Sequence, residues 1–462
     1  MDGLTAELCR FVAETRADEI PGAVIAVGKH HILDSLACAL AGSVAPASSM
    51  IRDFMGAGGG APGAASVLGT GLRLAPRFAA FANGAAIHAD NFDDTAPQPS
   101  PERNGGIHAT GTVLAAALAL AEAQGRSGAD LMTALHVGCE VSCKLNHAAD
   151  AEHHNRGYHP TSTLNIFGVV AAAGRLLGLS EDALARAIGI AASQSAGLRI
   201  NFGSMTDPFH SGHVAEAGIV AAELAARGFT AATNALEAPH GFFAAYAGGF
   251  DAGAISGKLG KPWALIDPGT WIKPYPCGSL THPAIGALIE LAKREDIRPE
   301  AVASVRVRTN RRVANTLIHN RPKNALEAKF SMPFAAAMAL MRRQASFAEF
   351  SDAFVQSAAV QALVAKVDYG AYDTAEPGFT NVTTLIDVAL ADGRKFSRRA
   401  DFAKGTPQNP MSYAELADKF RGCAAHAGWP ADKTETVIGR VAQLETVADV
   451  RAVTKLMSVE EK

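Results

Sequence analysis

Residues 203–213 read GSMTDPFHSGH and set a carboxylate and two imidazoles, Asp207, His210 and His213, at intervals of three. On a helix this spacing fans the three groups over about 120 degrees, close enough to share one cation. Pro208, however, suits the first helical position. That makes Asp207 the N-cap, with its oxygen aimed at backbone N–H groups rather than at a ligand. On this reading the segment starts a helix that ends near Gly228.

Three further clusters set polar groups beside turn residues in otherwise apolar sequence. In NGAAIHADNFDDTAPQPSPERNGGIHATG, the residues His88, Asp90, Asn91, Asp93, Asp94 and Thr95 come within eight positions, and His108 lies at the start of the next apolar run. This is either a helix end with a proline-rich loop, or a site in which Asp and Thr hold a hydroxyl or carboxylate while His108 meets an anion at a helix N-terminus. In HHNRGYHPTSTLNIFG, His159 precedes Pro160 and a Thr-Ser-Thr run, which puts its imidazole at the mouth of a helix. An imidazole held there is suited to moving a proton near neutral pH. In WIKPYPCGSLTHP, prolines and Gly278 separate Lys273, Tyr275, Cys277 and His282, so a cation and a phenol sit on a fixed non-helical path. Cys277 is a candidate nucleophile there.

The elements that must carry these groups are mostly helices. From about residue 4 to 265, Ala-rich segments such as IAVGKHHILDSLACALAG, GGIHATGTVLAAALALAEAQG and TLNIFGVVAAAGRLLGL repeat apolar residues at helical spacing, and most end at Gly. After Gly269 the texture changes. VASVRVRTN and NVTTLIDVALADGRKFSRRA alternate apolar and polar residues and read as strands. From MSYAELADKFRGCAAHAG onward the chain is helical again, with Ser412 and Glu415 at capping-box spacing. The expected fold is mainly α: a large all-helical domain from residues 1–268 and 402–462, and a smaller α+β domain, 269–401, inserted before the C-terminal helices. The GxGxxG match in GAGGGAPG is broken by Pro62, lacks a βαβ context and reads as a loop.

With 462 residues, 19% charged and a formal net charge of -3, nothing favours a nucleic-acid partner. The six cysteines lack CxxC pairs, and the N-terminus lacks a signal pattern, so a reducing cytoplasm is the expected compartment. The apolar runs are broken before about 18 residues, and no membrane partner is expected.

Taken together, NGAAIHADNFDDT, YHPTSTLNIFG, GSMTDPFHSGH, IKPYPCGSLTHPAI, RPKNALEAKFSMPFA and GTPQNPMS make the chain resemble the MmgE/PrpD family over nearly its whole length. That family includes 2-methylcitrate dehydratase, cis-aconitate decarboxylase and iminodisuccinate epimerase. The resemblance implies a homodimer, no metal, no organic cofactor, and a small di- or tricarboxylate substrate. By position it makes His159, His108, Lys273 and Tyr275 the catalytic set, with Lys273 and His108 binding carboxylates and His159 moving the proton. The substrate-binding candidates are Thr95, Asn91, Asp90, Asp207, His210, His213 and Cys277. The expected activity is a cofactor-independent lyase of the dehydratase type. An epimerase of a small amino- or imino-dicarboxylate, a cis-aconitate-type decarboxylase and a non-catalytic binding homologue are the alternatives. The family usually has Asp at the position of Asn91, Lys at that of Asp207 and commonly Arg at that of His213. Exchanging Lys for Asp reverses a charge where an anion is expected to bind.

Overall fold

The computed structural model describes residues 3–57, 63–97 and 106–459. The glycine-rich loop at 58–62 and most of the proline-rich loop, 98–105, lie outside the described residues. The chain divides into two compact units, residues 1–272 with 412–462, and residues 273–411. The boundaries fall four residues beyond 268 and ten beyond 401, for local reasons. Trp271 is bridged to Thr95 of the first unit. At the other end Asp401 accepts from Thr383 and Thr380, which ties the following segment to the second unit.

In the first unit the helices that carry the site are α1 (Gly22–Ser43), α2 (Pro76–His88), α3 (Ala109–Gln124), α4 (Gly128–Ala148), α5 (Pro160–Leu177) and α6 (Thr206–Ala226). In α3 every residue from Ala109 to Glu122 is buried, as expected for a helix apolar on all sides. Local signals end or start several of these helices. Gly125 and Gly178, both left-handed, close α3 and α5, and Ser127 with Asp130 forms a capping box on α4. Not all end at glycine: α1 and α4 stop at Val44 and Ala149. Nor is the unit wholly helical, since Ala65–Ser66 and Arg73–Leu74 pair as a short antiparallel ribbon.

Helix α6 packs along α2 and α5. Its crossing with α2 depends on glycine. A Cβ on Gly212 would lie 2.4 Å from the Phe81 carbonyl oxygen, and one on Gly84 would lie 3.0 Å from that of Ser211. The axes approach until backbone meets backbone, which brings the end of α2 beside the start of α6. Helix α1 corrects one expectation: it is long and apolar enough to cross a bilayer, with 67% of its most apolar window buried inside the protein. The charged residues Lys29 and Asp34 on it are paired, with Glu445 and Lys419.

The second unit begins with α7 (His282–Arg294) and β1 (Val302–Thr309), followed by α8 (Met332–Arg342), β2 (Val367–Ala371), β3 (Thr384–Leu390) and β4 (Lys395–Ala400). The strand order is β2-β1-β3-β4. Val305 pairs with Val367 in the parallel β1–β2 ladder and with Val388 in the antiparallel β1–β3 ladder. Val305, Val307, Ile386 and Val388 are buried and share a core with α7 and α8, so the sheet buries one face. The chain then returns to the first unit through α9 (Tyr413–His426), capped by Ser412 and Glu415.

Candidate active site

The site grows from the two ends that the glycine crossing brings together. His88 is the last residue of α2. Three residues on, Asn91 takes a left-handed conformation with φ 51°, which Asn tolerates better than most side chains. The chain therefore turns back, and both Asp93 oxygens lie within 3.0 Å of His88 Nδ1. On the other side of the ring, Nε2 is 3.7 Å from Asp207 Oδ1. Burial alone would lower this imidazole, but Asp93 and then Asp207 outweigh it and push it up to about 10. His88 is thus a buried cation between two carboxylates.

Asp207 corrects the capping expectation. The helix starts one residue earlier, at Thr206, with Met205 in the cap position and no side-chain cap bond. Asp207 is in the first turn, and its Oδ1 lies 3.8 Å from His159 Nδ1 as well as 3.7 Å from His88. That oxygen is buried and beyond hydrogen-bond distance of both rings. Burial pushes the carboxyl up, yet the neighbouring His88 holds it below the usual carboxylate range, so it is ionised. Two tertiary partners have outbid the helix amides for this side chain.

His159 is the N-cap residue of α5, with Pro160 in the first turn, so the helix start holds the ring at its mouth. Its Nδ1 is 3.0 Å from His210 Nδ1, and Phe202 packs edge-on against the ring at 4.8 Å. Burial drives His159 well below its ordinary value and lowers His210 too, so both are neutral. His213 is not brought into this group. One turn further along α6, it stacks on Phe209.

His108 is the N-cap residue of α3. Its Nδ1 meets the Asp94 carbonyl at 2.5 Å and lies 3.5 Å from Asp93, and its ring centroid is 4.5 Å from that of His88, the two rings tilted by 58°. Its backbone is clamped by Thr161 and Asn165 of α5. Asp94 also accepts from Thr110, which fixes the helix start against the turn. Burial pushes Asp94 up to about 7, with the charge of Asp93 adding to it. Thr95 exchanges backbone hydrogen bonds with Trp271 at 2.8 and 2.7 Å, and its buried hydroxyl has no partner among the described residues. Burial pushes the Cys423 thiol of α9 up to about 12, with the charges of Asp34 and half-buried Asp90 adding to it.

Lys273, Tyr275 and Cys277 open the second unit. Lys273 is buried. Tyr275 meets His282 edge-on at 5.2 Å, and burial pushes its phenol up to about 12. Cys277 belongs to the apolar core, contacts Thr281, and burial pushes its thiol up to about 11, surroundings that favour the thiol over the thiolate.

Within the first unit, therefore, His108, His159, Asp207 and His210 come together, and Asn91 shapes the turn behind them. Sequence reasoning missed His88 and Asp93 as the centre of the group. It also missed Lys419, whose Nζ donates to the Phe92 carbonyl at 2.7 Å and pairs with Asp34 at 2.5 Å, pinning the turn from behind. Among the described residues, two trios have donor atoms close enough to hold a cation, His88 with Asp93 and His108, and His159 with Asp207 and His210.

An array of neutral and cationic imidazoles interleaved with carboxylates can take a proton at one point and supply one at another. Comparison with known proteins agrees with a carboxylate-processing enzyme. Residues 6–254 match the MmgE/PrpD N-terminal domain and residues 275–443 the C-terminal domain. The human cis-aconitate decarboxylase is 31% identical over 84% of this chain and 80% of its own length. A cis-aconitate decarboxylase-like protein of Aspergillus oryzae, oryM, is 28% identical over 99% of this chain and 98% of its own. The Aspergillus terreus cis-aconitate decarboxylase is 29% identical over 76% and 74%. With both domains matched in order and a relative of this identity over four-fifths of its length, the chain belongs to the MmgE/PrpD family.

Proposed function

We propose that this protein is a lyase that removes a proton beside a carboxylate of a small di- or tricarboxylate and expels water. The observation that carries this reading is the different setting of two neighbouring histidines: His88 Nδ1 lies within 3.0 Å of both Asp93 oxygens, which raises it, and His159 is buried against His210 and Phe202, where burial lowers it. Environments that drive titratable groups apart in this way separate the base from the acid. If His159 donates its Nδ1 proton to His210 Nδ1, its Nε2 carries the lone pair and is the base. His108 binds a substrate carboxylate, and His88 balances the negative charge of Asp93 and Asp207. Loss of CO2 is the second reading, favoured by the name the relatives share, cis-aconitate decarboxylase.

The test is NMR of small hydroxy- and unsaturated di- and tricarboxylates incubated with the protein in D2O. Dehydration gives an alkene with all its carbons retained, decarboxylation gives a product one carbon shorter, and deuterium in recovered substrate alone would indicate epimerisation. With the best substrate, His159→Ala should lower kcat by about 10²- to 10⁴-fold and leave KM nearly unchanged. Near-normal turnover in that variant would remove His159 from the mechanism.

A further inference from the structure

We infer that His159, Asp207 and His210 form a binding site for one divalent first-row metal ion of the zinc class. Three observations converge on it. First, the donors are two imidazoles and a carboxylate, a set that such ions take readily. Asp207 and His210 lie three residues apart on α6, and His159 comes from the mouth of α5, so two elements hold the trio from different directions.

Second, the spacing suits an ion. Two nitrogens each about 2.1 Å from one metal are about 3.0 to 3.4 Å apart at angles near 90 to 110 degrees. The His159 and His210 Nδ1 atoms are 3.0 Å apart. Asp207 Oδ1, at 3.8 Å from His159 Nδ1, would have to close by only a few tenths of an ångström to join them.

Third, the trio is buried and its carboxylate oxygen is unsatisfied. Asp207 is 5% exposed, His159 3% and His210 5%, and Asp207 Oδ1 accepts no hydrogen bond from the described residues. Its charge is offset by His88 Nε2 at 3.7 Å, but that contact is too long for a hydrogen bond, and a coordinated ion would supply the close contact the oxygen lacks. The other trio does not offer this. His88 Nδ1 is already within 3.0 Å of both Asp93 oxygens, so a proton occupies the place a metal would take. His88 also keeps Asp93 as its partner when Asp207 turns to a metal.

The site does not depend on the proposed reaction. At His159 the two are exclusive: a metal on Nδ1 puts the ring proton on Nε2, the tautomer that cannot act as base. The lyase assay therefore belongs with chelator-treated protein, and the binding test stands apart from it.

That test is titration of the full-length, chelator-treated protein with Co2+, followed by visible d–d absorption, and with Zn2+, followed by calorimetry. The expected result is one ion per chain, with affinity reduced at least about tenfold in Asp207→Asn and in His210→Gln. His240→Asn, at an exposed histidine, should bind as the unaltered protein does. Circular dichroism and thermal unfolding show that each variant is folded, and His210→Gln serves if Asp207→Asn is not. The inference is overturned if the protein gives only the spectrum of aqueous Co2+, or if folded Asp207→Asn or His210→Gln binds as tightly as the unaltered chain.

Discussion

His88 controls the charge of the site, and its effect can be read from stability. Its folded-state value of about 10 lies above the ordinary 6.5, so the stability it contributes is complete below 6.5 and is lost as pH rises through 10. Urea unfolding should therefore show a falling midpoint between neutral pH and pH 10. His88→Gln should flatten that fall and cost about 3–5 kcal/mol at pH 7, because Asp93 is left buried without its cation. His159 works in the other direction. Held neutral well below 6.5, it keeps its base form in mild acid, so the acid limb of the proposed kcat/KM profile should lie below 6.5. A limb at or above that value would contradict the assigned environment. The sequence showed His159 and His108 as residues at helix mouths because caps and prolines are local signals. It hid His88, which ends an apolar, Ala-rich helix and acquires its role only through a turn set by Asn91 and a carboxylate from another helix.

At the scale of elements, the meeting of α2 and α6 decides whether the site exists. Ala is the better helix former by about 1 kcal/mol, so an exposed Gly212 would be improved by the change. Here the added Cβ would stand 2.4 Å from the Phe81 carbonyl, and backbone cannot step aside as a flexible side chain can. The clash should win. Gly212→Ala is expected to lower stability by about 1–3 kcal/mol and to part His88 from Asp207. Thermal unfolding and the activity of the purified variant check both effects, and a variant more stable than the parent would refute the account of the crossing. Periodicity and composition made these helices legible, and Ser412 with Glu415 marked the start of α9 correctly. The same local logic misplaced Asp207. Asp-Pro is a sound helix-start signal, but it competes with tertiary partners that no local pattern encodes. Strand β2 escaped notice for a related reason: its residues are mostly half-buried, so it lacks the alternation that exposed β3.

At the scale of the molecule, the first unit is made of two stretches of chain that must find each other after the second unit has been laid down between them. Lys419 on α9 is where that return is fixed. Its ammonium pairs with Asp34 of α1 at 2.5 Å, donates to the Phe92 carbonyl and lies 3.6 Å from the Phe92 ring centroid. Read in sequence, a lysine in the amphipathic segment MSYAELADKFRG is a solvent-facing residue, and only the packing of α9 on α1 buries it. A surface pair would be worth under about 1 kcal/mol. This one is buried on both sides, so Lys419→Met should cost about 3–5 kcal/mol by stranding the Asp34 carboxylate. The double change Asp34→Leu with Lys419→Met should recover a good part of that loss, since buried ion pairs are often replaced by apolar groups at little cost. Denaturant midpoints for the two variants separate the alternatives. If the single variant stays within about 1 kcal/mol of the parent, or the double is no better than the single, the pair is not what holds the returning helix. Because Lys419 also holds the carbonyl one residue before Asp93, the double variant should stay less active than its stability alone predicts. The connection between the C-terminal segment and the site would then be read directly, as activity lost in a chain that is still folded.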